Sequence, residues 1–147
     1  MAKPIFVLNG PNLNMLGTRE PAVYGSTTLK DIEGKCHDTA DELGLSVDFR
    51  QSNHEGDLVG WLQEANSAAC GVVLNAAAYT HTSIALYDAV KGGDIPVIEL
   101  HISNVHAREP FRTHSYISPV ATGVILGFGT AGYPLAIRAL KGLIEKQ

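Results

Sequence analysis

Only two of the 147 residues are cysteine, Cys36 and Cys70, and they lie far apart in helix-like segments, with no CxxC and no histidine at ligand spacing. That pattern argues against a disulfide framework or a zinc site and leaves both thiols as small core fillers. Basic residues are also few: eleven Lys and Arg against fifteen Asp and Glu give a net charge of -4 and a pI near 5.8. With no Lys/Arg cluster and no basic helix, the chain lacks the electrostatic footprint of a nucleic-acid binder. Long apolar runs are missing too. The N-terminus offers one Lys and then Ile5-Phe-Val-Leu8, far short of a signal segment or a membrane span, so no membrane partner and a cytoplasmic address are expected.

Several familiar catalytic signatures are absent as well. No GxSxG elbow, P-loop or HExxH pattern occurs. Lys30, Lys35, Lys91, Lys141 and Lys146 fall in helices or at their ends and Lys3 at the terminus, so none sits at a strand's carboxyl end as a Schiff-base nucleophile would. The run Gly127-Phe-Gly129-Thr-Ala-Gly132 fits GxGxxG, but it follows the last strand, and the chain ends before an acidic ribose-binding residue would come about 20 positions later. A tight turn packing a helix on the sheet is the better account. Ser52-Asn-His-Glu55 reads as a loop or cap contact serving a helix that begins near Asp57.

What is present is alternation. The chain is 45% hydrophobic and 18% charged, enough for one domain spanning residues 1–147 with a real core, and too short for a TIM barrel of about 200 residues or more. Five β-like runs, Pro4 to Leu8, Leu45 to Gln51, Gly71 to Leu74, Ile95 to Ile102 and Gly123 to Leu126, are interleaved with helix-like ones. Leu29, Ile32, Cys36, Ala40 and Leu43 share one helical face before Gly44, which suits the position just past a helix end. Leu58, Val59, Leu62, Ala65 and Ala69 make a second stripe; a third helix is expected from about Ser83 to Lys91 and a last from Pro134, as first helical residue, to about Lys146. Such alternation predicts an α/β protein with a five-stranded parallel sheet covered on both faces, a flavodoxin-like three-layer sandwich of strand order 2-1-3-4-5.

In that fold ligands bind beyond the carboxyl ends of the strands, near the switch point between strands one and three. Asn12, Arg19, Tyr24, Asn75, His81 and His101 then gather around one crevice. Arg19 and Tyr24 stand five residues apart in a Gly/Pro-rich loop. A phenol, with an ordinary pKa of about 10, is a poor base, and a permanently charged guanidinium favours its phenolate, which points to proton abstraction. In Val97-Ile-Glu99-Leu-His101-Ile102 the strand period puts Glu99 and His101 on one face among apolar neighbours. Two readings stand: a satisfied buried pair that fixes the strand, or a histidine oriented by Glu99 that serves as general acid.

Taken in order over essentially the whole chain, Leu8-Asn-Gly-Pro-Asn-Leu-Asn-Met-Leu-Gly17, Arg19-Glu-Pro with Tyr24-Gly25, Gln51-Ser-Asn-His-Glu-Gly56, Asn75 with Tyr79-Thr-His-Thr-Ser83, Glu99-Leu-His-Ile-Ser-Asn104, Arg108-Glu-Pro-Phe-Arg112 and His114-Ser-Tyr-Ile-Ser118 make a pattern that resembles a type II 3-dehydroquinate dehydratase. The resemblance implies dehydration of 3-dehydroquinate to 3-dehydroshikimate, in the shikimate pathway or quinate breakdown, by anti elimination through an enolate and without metal, cofactor or imine. Tyr24 would take the proton from C2, Arg19 with Arg112 nearby would keep Tyr24 ionised, and Asn12 would hold a water at the enolate oxygen. His101, oriented by Glu99, would protonate the leaving C1 hydroxyl.

For substrate binding the resemblance implies backbone N–H groups of Ile102 and Ser103 on the carboxylate and Asn75, His81 and Arg112 on the ring hydroxyls. Asp88 would serve the neighbouring subunit, in a homo-oligomer of trimers, four of which make a dodecamer, and the loop from Leu13 to Gly25 would be a mobile lid. Two departures stand out: Ala76-Ala-Ala78 occurs where many members have Pro-Gly, and Thr113 where a His is frequent. Altered affinity, not lost activity, is expected from them. A reading from another class is a flavodoxin-like binding module or a catalytically silent relative that senses a small anion. Against it, strand one is followed by Asn9-Gly-Pro-Asn12 and not by acidic residues or a Ser/Thr phosphate loop, and Arg19, Tyr24 and His101 are all retained.

Overall fold

Odd and even residues of the first strand part company at once. In β1 (Ile5–Asn9), Ile5 and Val7 enter one apolar cluster while Phe6 and Leu8 enter another. A strand can bury successive side chains on opposite sides only if both faces of its sheet are covered. The computed structural model, which describes residues 2–18 and 25–146, shows how. β1, β2 (Val47–Gln51), β3 (Gly71–Asn75), β4 (Val97–His101) and β5 (Gly123–Leu126) form one parallel sheet in the order β2-β1-β3-β4-β5, as expected. Helices α1 (Leu29–Glu42) and α4 (Gly132–Glu145) pack on the face of Ile5, Val7, Val73, Ile98 and Leu100. Helices α2 (Glu55–Ala68) and α3 (Ile84–Lys91) pack on the face of Phe6, Leu8, Val72, Leu74 and Val97.

The boundaries differ from the sequence expectation for local reasons. After α1, Gly44 has a φ of +72°, its N–H donates to Asp41 and the N–H of Leu45 reaches back to Ala40. That closure of the helix end occupies Leu45, so β2 begins at Val47 and not at Leu45. Pro96 has no N–H for the ladder, and β4 starts at Val97 instead of Ile95. Helix α2 starts at Glu55, earlier than Asp57, because the Ser52 hydroxyl accepts the N–H of His54 at 3.0 Å and donates to the Asp57 carboxylate at 2.6 Å; the His54 side chain makes no cap bond. Pro134 is the third residue of α4, not the first, a place where the backbone N–H has no helical acceptor to lose.

The GxGxxG run makes the tight turn that its position suggested. Gly127 and Gly129 have positive φ, and a Cβ on Gly132 would stand 2.7 Å from Leu100 Cδ1, so the absence of a side chain lets α4 lie directly on β4.

The turn after β3 (Ala77–His81) carries the opposite situation. Ala77 has a φ of +53°, in the left-handed region where a Cβ crowds the backbone, and its N–H donates to Asn75 Oδ1 at 3.2 Å. This is the Ala76-Ala-Ala78 stretch, and at Ala77 the backbone takes a conformation that glycine favours. Ala77→Gly is therefore expected to raise the unfolding free energy by about 1 kcal/mol, the left-handed penalty less the extra chain entropy of glycine. Chemical denaturation of the two proteins measures the change, and a destabilised variant would contradict the reading.

Candidate active site

Each of the three strands nearest the switch point ends in an amide, and the amides share a register: Asn9 pairs with Gln51 on one side and with Asn75 on the other. Asn9 and Asn75 are buried, and burial requires their amides to find partners. Asn9 Nδ2 donates to the Arg50 carbonyl, so its Oδ1 is free to accept from the Tyr133 hydroxyl at 2.7 Å; the tyrosine oxygen in turn accepts from Asn75 Nδ2 at 2.9 Å. Asn75 Oδ1 takes the N–H of Ala77. The chain runs in one sense from a carbonyl to an N–H and fixes which way the Asn75 amide faces, with one N–H and one lone pair in reserve. Burial pushes the Tyr133 phenol well above its usual range, which keeps it neutral and able to donate.

Above the β1 end, the backbone turns sharply at Asn12, whose φ is +69° and whose N–H donates to Asn53 Oδ1 at 3.0 Å. Asn53 also receives Gln51 Nε2, and its carbonyl accepts the Tyr79 hydroxyl. Asn12 lines a cleft of about 460 Å³ together with Leu13, Ala77, Ala78 and Arg112. Arg112 is held by Glu109 at 2.9 Å and stands in a turn that the Thr113 hydroxyl closes on the Pro110 carbonyl. Thr113 thus closes the turn that carries Arg112.

Arg112 also borders a second cavity, of about 360 Å³, with Thr80, His81, Glu99, His101 and His114 on its walls. The His81 and His101 rings lie nearly parallel, 6.3 Å apart. His81 Nδ1 donates to the His114 carbonyl at 2.8 Å, which leaves Nε2 unprotonated in the neutral ring. Glu99 and His101 share a face as the strand period requires: His101 Nε2 is 2.6 Å from Glu99 Oε2, with the two side chains 6% and 1% exposed. Ser115 donates to the same carboxylate oxygen at 2.8 Å and Ser118 to the other. Burial alone would push the Glu99 carboxyl up; hydrogen bonds from His101, Ser118 and Ser115, with the charge of His101, outweigh it and hold the group below the usual carboxylate range. Thr80 Oγ1 is buried here with no partner among the described residues.

The structure therefore brings Asn12, Asn75, His81, Glu99, His101 and Arg112 to one end of the sheet. Just past β4, the N–H groups of Ile102 and Ser103 donate to no group among the described residues and remain open to an anion. Asp88, exposed on α3, lines neither cavity. Arg19 and Tyr24 lie outside the described residues. Sequence reasoning missed Asn9, Tyr133, Asn53, Ser115 and Ser118. The amide row was the available signal for the first three, since an amide that ends a buried strand needs a polar partner; nothing in the spacing ties Ser115 and Ser118 to Glu99.

The arrangement joins a hydrogen-bonded imidazole–carboxylate pair, a guanidinium and open backbone donors around two adjoining cavities, which suits proton transfer on a small anionic molecule. Among the described residues no helix is long and apolar enough to cross a membrane. The 3-dehydroquinate dehydratase of Rhizobium johnstonii is 63% identical over 143 residues, 97% of this chain and 99% of that protein. That of Brucella canis is 56% identical over 147 residues, 100% of this chain and 94% of that protein. The crystal structure of type II dehydroquinase from Propionibacterium acnes superposes with a TM-score of 0.90 at 46% identity, covering 97% of this chain and 98% of that one. The family model for dehydroquinase class II matches residues 3–141, and the chain belongs to that family.

Proposed function

We propose that the protein converts 3-dehydroquinate to 3-dehydroshikimate by anti elimination through an enolate, with His101 as general acid. That it is a hydro-lyase follows from its family and from relatives more than half identical to it. The mechanistic reading rests on one observation above others, the buried Glu99–His101 pair on the wall of a cavity that Arg112 also borders.

The substrate carboxylate docks on the N–H groups of Ile102 and Ser103, and Asn75, His81 and Arg112 bind the ring hydroxyls. The C3 ketone acidifies C2–H; the Tyr24 phenolate, kept ionised by Arg19, removes that proton, and the electron pair moves to the ketone oxygen as an enolate. Asn12, fixed at its sharp turn by Asn53, presents a water to that oxygen where charge develops. Collapse of the enolate expels the C1 hydroxyl, which leaves as water with the proton from His101. Nothing in this sequence calls for metal, cofactor or imine. Assembly as four trimers, with Asp88 reaching the neighbouring site, and a cytoplasmic location complete the proposal.

His101→Ala is expected to lower kcat by about 100- to 10,000-fold, the ordinary range for a positioned acid, and Tyr24→Phe by a comparable factor with little change in KM. Enone absorbance during turnover measures both, and near-normal kcat in either variant would remove that residue from the mechanism. A second consequence concerns stability. Because Glu99 is held below its ordinary value, the unfolded chain binds the extra proton, so the stability it contributes is present above about pH 4.5 and is lost as pH falls through the lower folded value. Glu99→Gln abolishes that component. The difference in unfolding free energy between wild type and variant is expected to shrink on acidification below pH 4.5, and a difference that stays constant would contradict the lowered Glu99.

A further inference from the structure

The hydrogen bonds around Glu99 determine where the proton of its histidine resides. A serine hydroxyl has one O–H and two acceptor sites. The Ser115 oxygen accepts the N–H of Ile117 at 3.0 Å and the N–H of Ser118 at 3.0 Å, and backbone N–H groups cannot reverse their sense. Both acceptor sites are thereby filled, and the Ser115 O–H has to point outward. The acceptor that meets it, at 2.8 Å, is Glu99 Oε2. His101 Nε2 converges on the same oxygen at 2.6 Å, and the Ser118 hydroxyl donates to Oε1. Were Oε2 to carry the proton, it would be the hydroxyl oxygen of a neutral acid, a weak acceptor with the Ser115 donor still aimed at it. An ionised carboxylate satisfies all three contacts, and Nε2 is then an N–H.

We infer that Ser115 is a positioning residue that sets the tautomer of His101: its one-way hydroxyl keeps Glu99 Oε2 an acceptor, confines the shared proton to His101 Nε2, and leaves Nδ1 as the nitrogen that exchanges a proton with the substrate. The second half of that statement rests on His101 being the general acid; the first does not. Nδ1 of His101 has no partner among the described residues, in keeping with the task. The same segment carries Arg112 and His114, so the serine that orients the acid also ties down the loop that borders the cavity. Other titratable or charged groups around the pair are His81 from the turn after β3 and His106, Arg112 and His114 from the β4–β5 connection.

The direct test is neutron diffraction from a deuterium-exchanged crystal of the unaltered protein near neutral pH. Deuterium on His101 Nε2 and on Ser115 Oγ toward Glu99, with none on Oε2, is the expected result; deuterium on Oε2 with Nε2 bare overturns the assignment. Kinetics supply the second arm. Ser115→Ala is expected to lower kcat tenfold or more, on the order seen when an outer partner of an active-site histidine is lost, with KM within a few-fold and the acid limb of the pH profile displaced. Since that change also strands two backbone N–H groups, Ser115→Thr, which keeps the hydroxyl, is the rescue and should restore both rate and pH profile. Unchanged kcat and pH profile in folded Ser115→Ala would overturn the positioning role. If His101→Ala itself turns over normally, the general-acid reading fails by that result, while the neutron map still decides the tautomer.

Discussion

A carboxylate buried in a central strand persists only while enough donors converge on it, and the carboxyl end of β4 is organised around that need. Glu99 is 1% exposed, takes hydrogen bonds from Ser115 and Ser118, and has His101 Nε2 2.6 Å from its Oε2. Removing one partner of a buried charge costs about 3–5 kcal/mol in comparable settings, so these contacts are mutually dependent. The consequence reaches well beyond the strand. The 21 residues between β4 and β5 contain short turns instead of a helix, and Ile117, Val120 and Ala121 from this connection cover the sheet face next to α2 and α3. Where a crossover helix would have offered only its own side chains, an irregular loop can aim two hydroxyls at one carboxylate while suspending Arg112 and His114 over the cavity.

A second network holds the Asn75 side chain as Glu99 holds the ring of His101. The hydrogen-bond chain from the Arg50 carbonyl through Asn9, Tyr133 and Asn75 to the Ala77 N–H crosses three strands' worth of sheet and one helix. Each link permits a single donor–acceptor sense, so the amide that faces the site is oriented before any ligand arrives, and no reorganisation is required of it on binding. The left-handed Ala77 belongs to this arrangement: its N–H is the terminus that the Asn75 oxygen requires. Backbone strain of this kind survives where the surrounding contacts over-determine the conformation.

The parallel sheet and the identity of all four helices were legible from periodicity and turn residues, because nearly continuous apolar strands admit only a doubly covered parallel sheet, while the strand order came from the commonest five-stranded arrangement of that kind. Gly44 was readable as a helix end and GxGxxG as a packing turn for the same local reasons. Glu99 and His101 were placed on one face by the strand period, which made their pairing plausible, and the structure sets His101 Nε2 2.6 Å from Glu99 Oε2. The serine partners of Glu99 were not legible. Ser115 and Ser118 lie 16 and 19 positions away, across an irregular loop, and no periodic rule governs such contacts. Tyr133 stood in plain sight after Gly132, yet its hydroxyl bonds Asn9 across 124 positions, a pairing that only the packing of α4 on β1 and β3 creates. Helix and strand ends shifted where a single residue's N–H was already engaged, as at Leu45, or missing, as at Pro96.

The most direct test of a dehydratase that works through Tyr24, His101 and Glu99 is the absorbance of the conjugated enone when purified protein meets 3-dehydroquinate, run with and without chelator and after borohydride treatment in the presence of substrate. The account predicts a rise that neither treatment alters, since no step passes through a metal or an imine. A rise abolished by either would contradict it. So would calorimetric binding of 3-dehydroquinate with no rise at all.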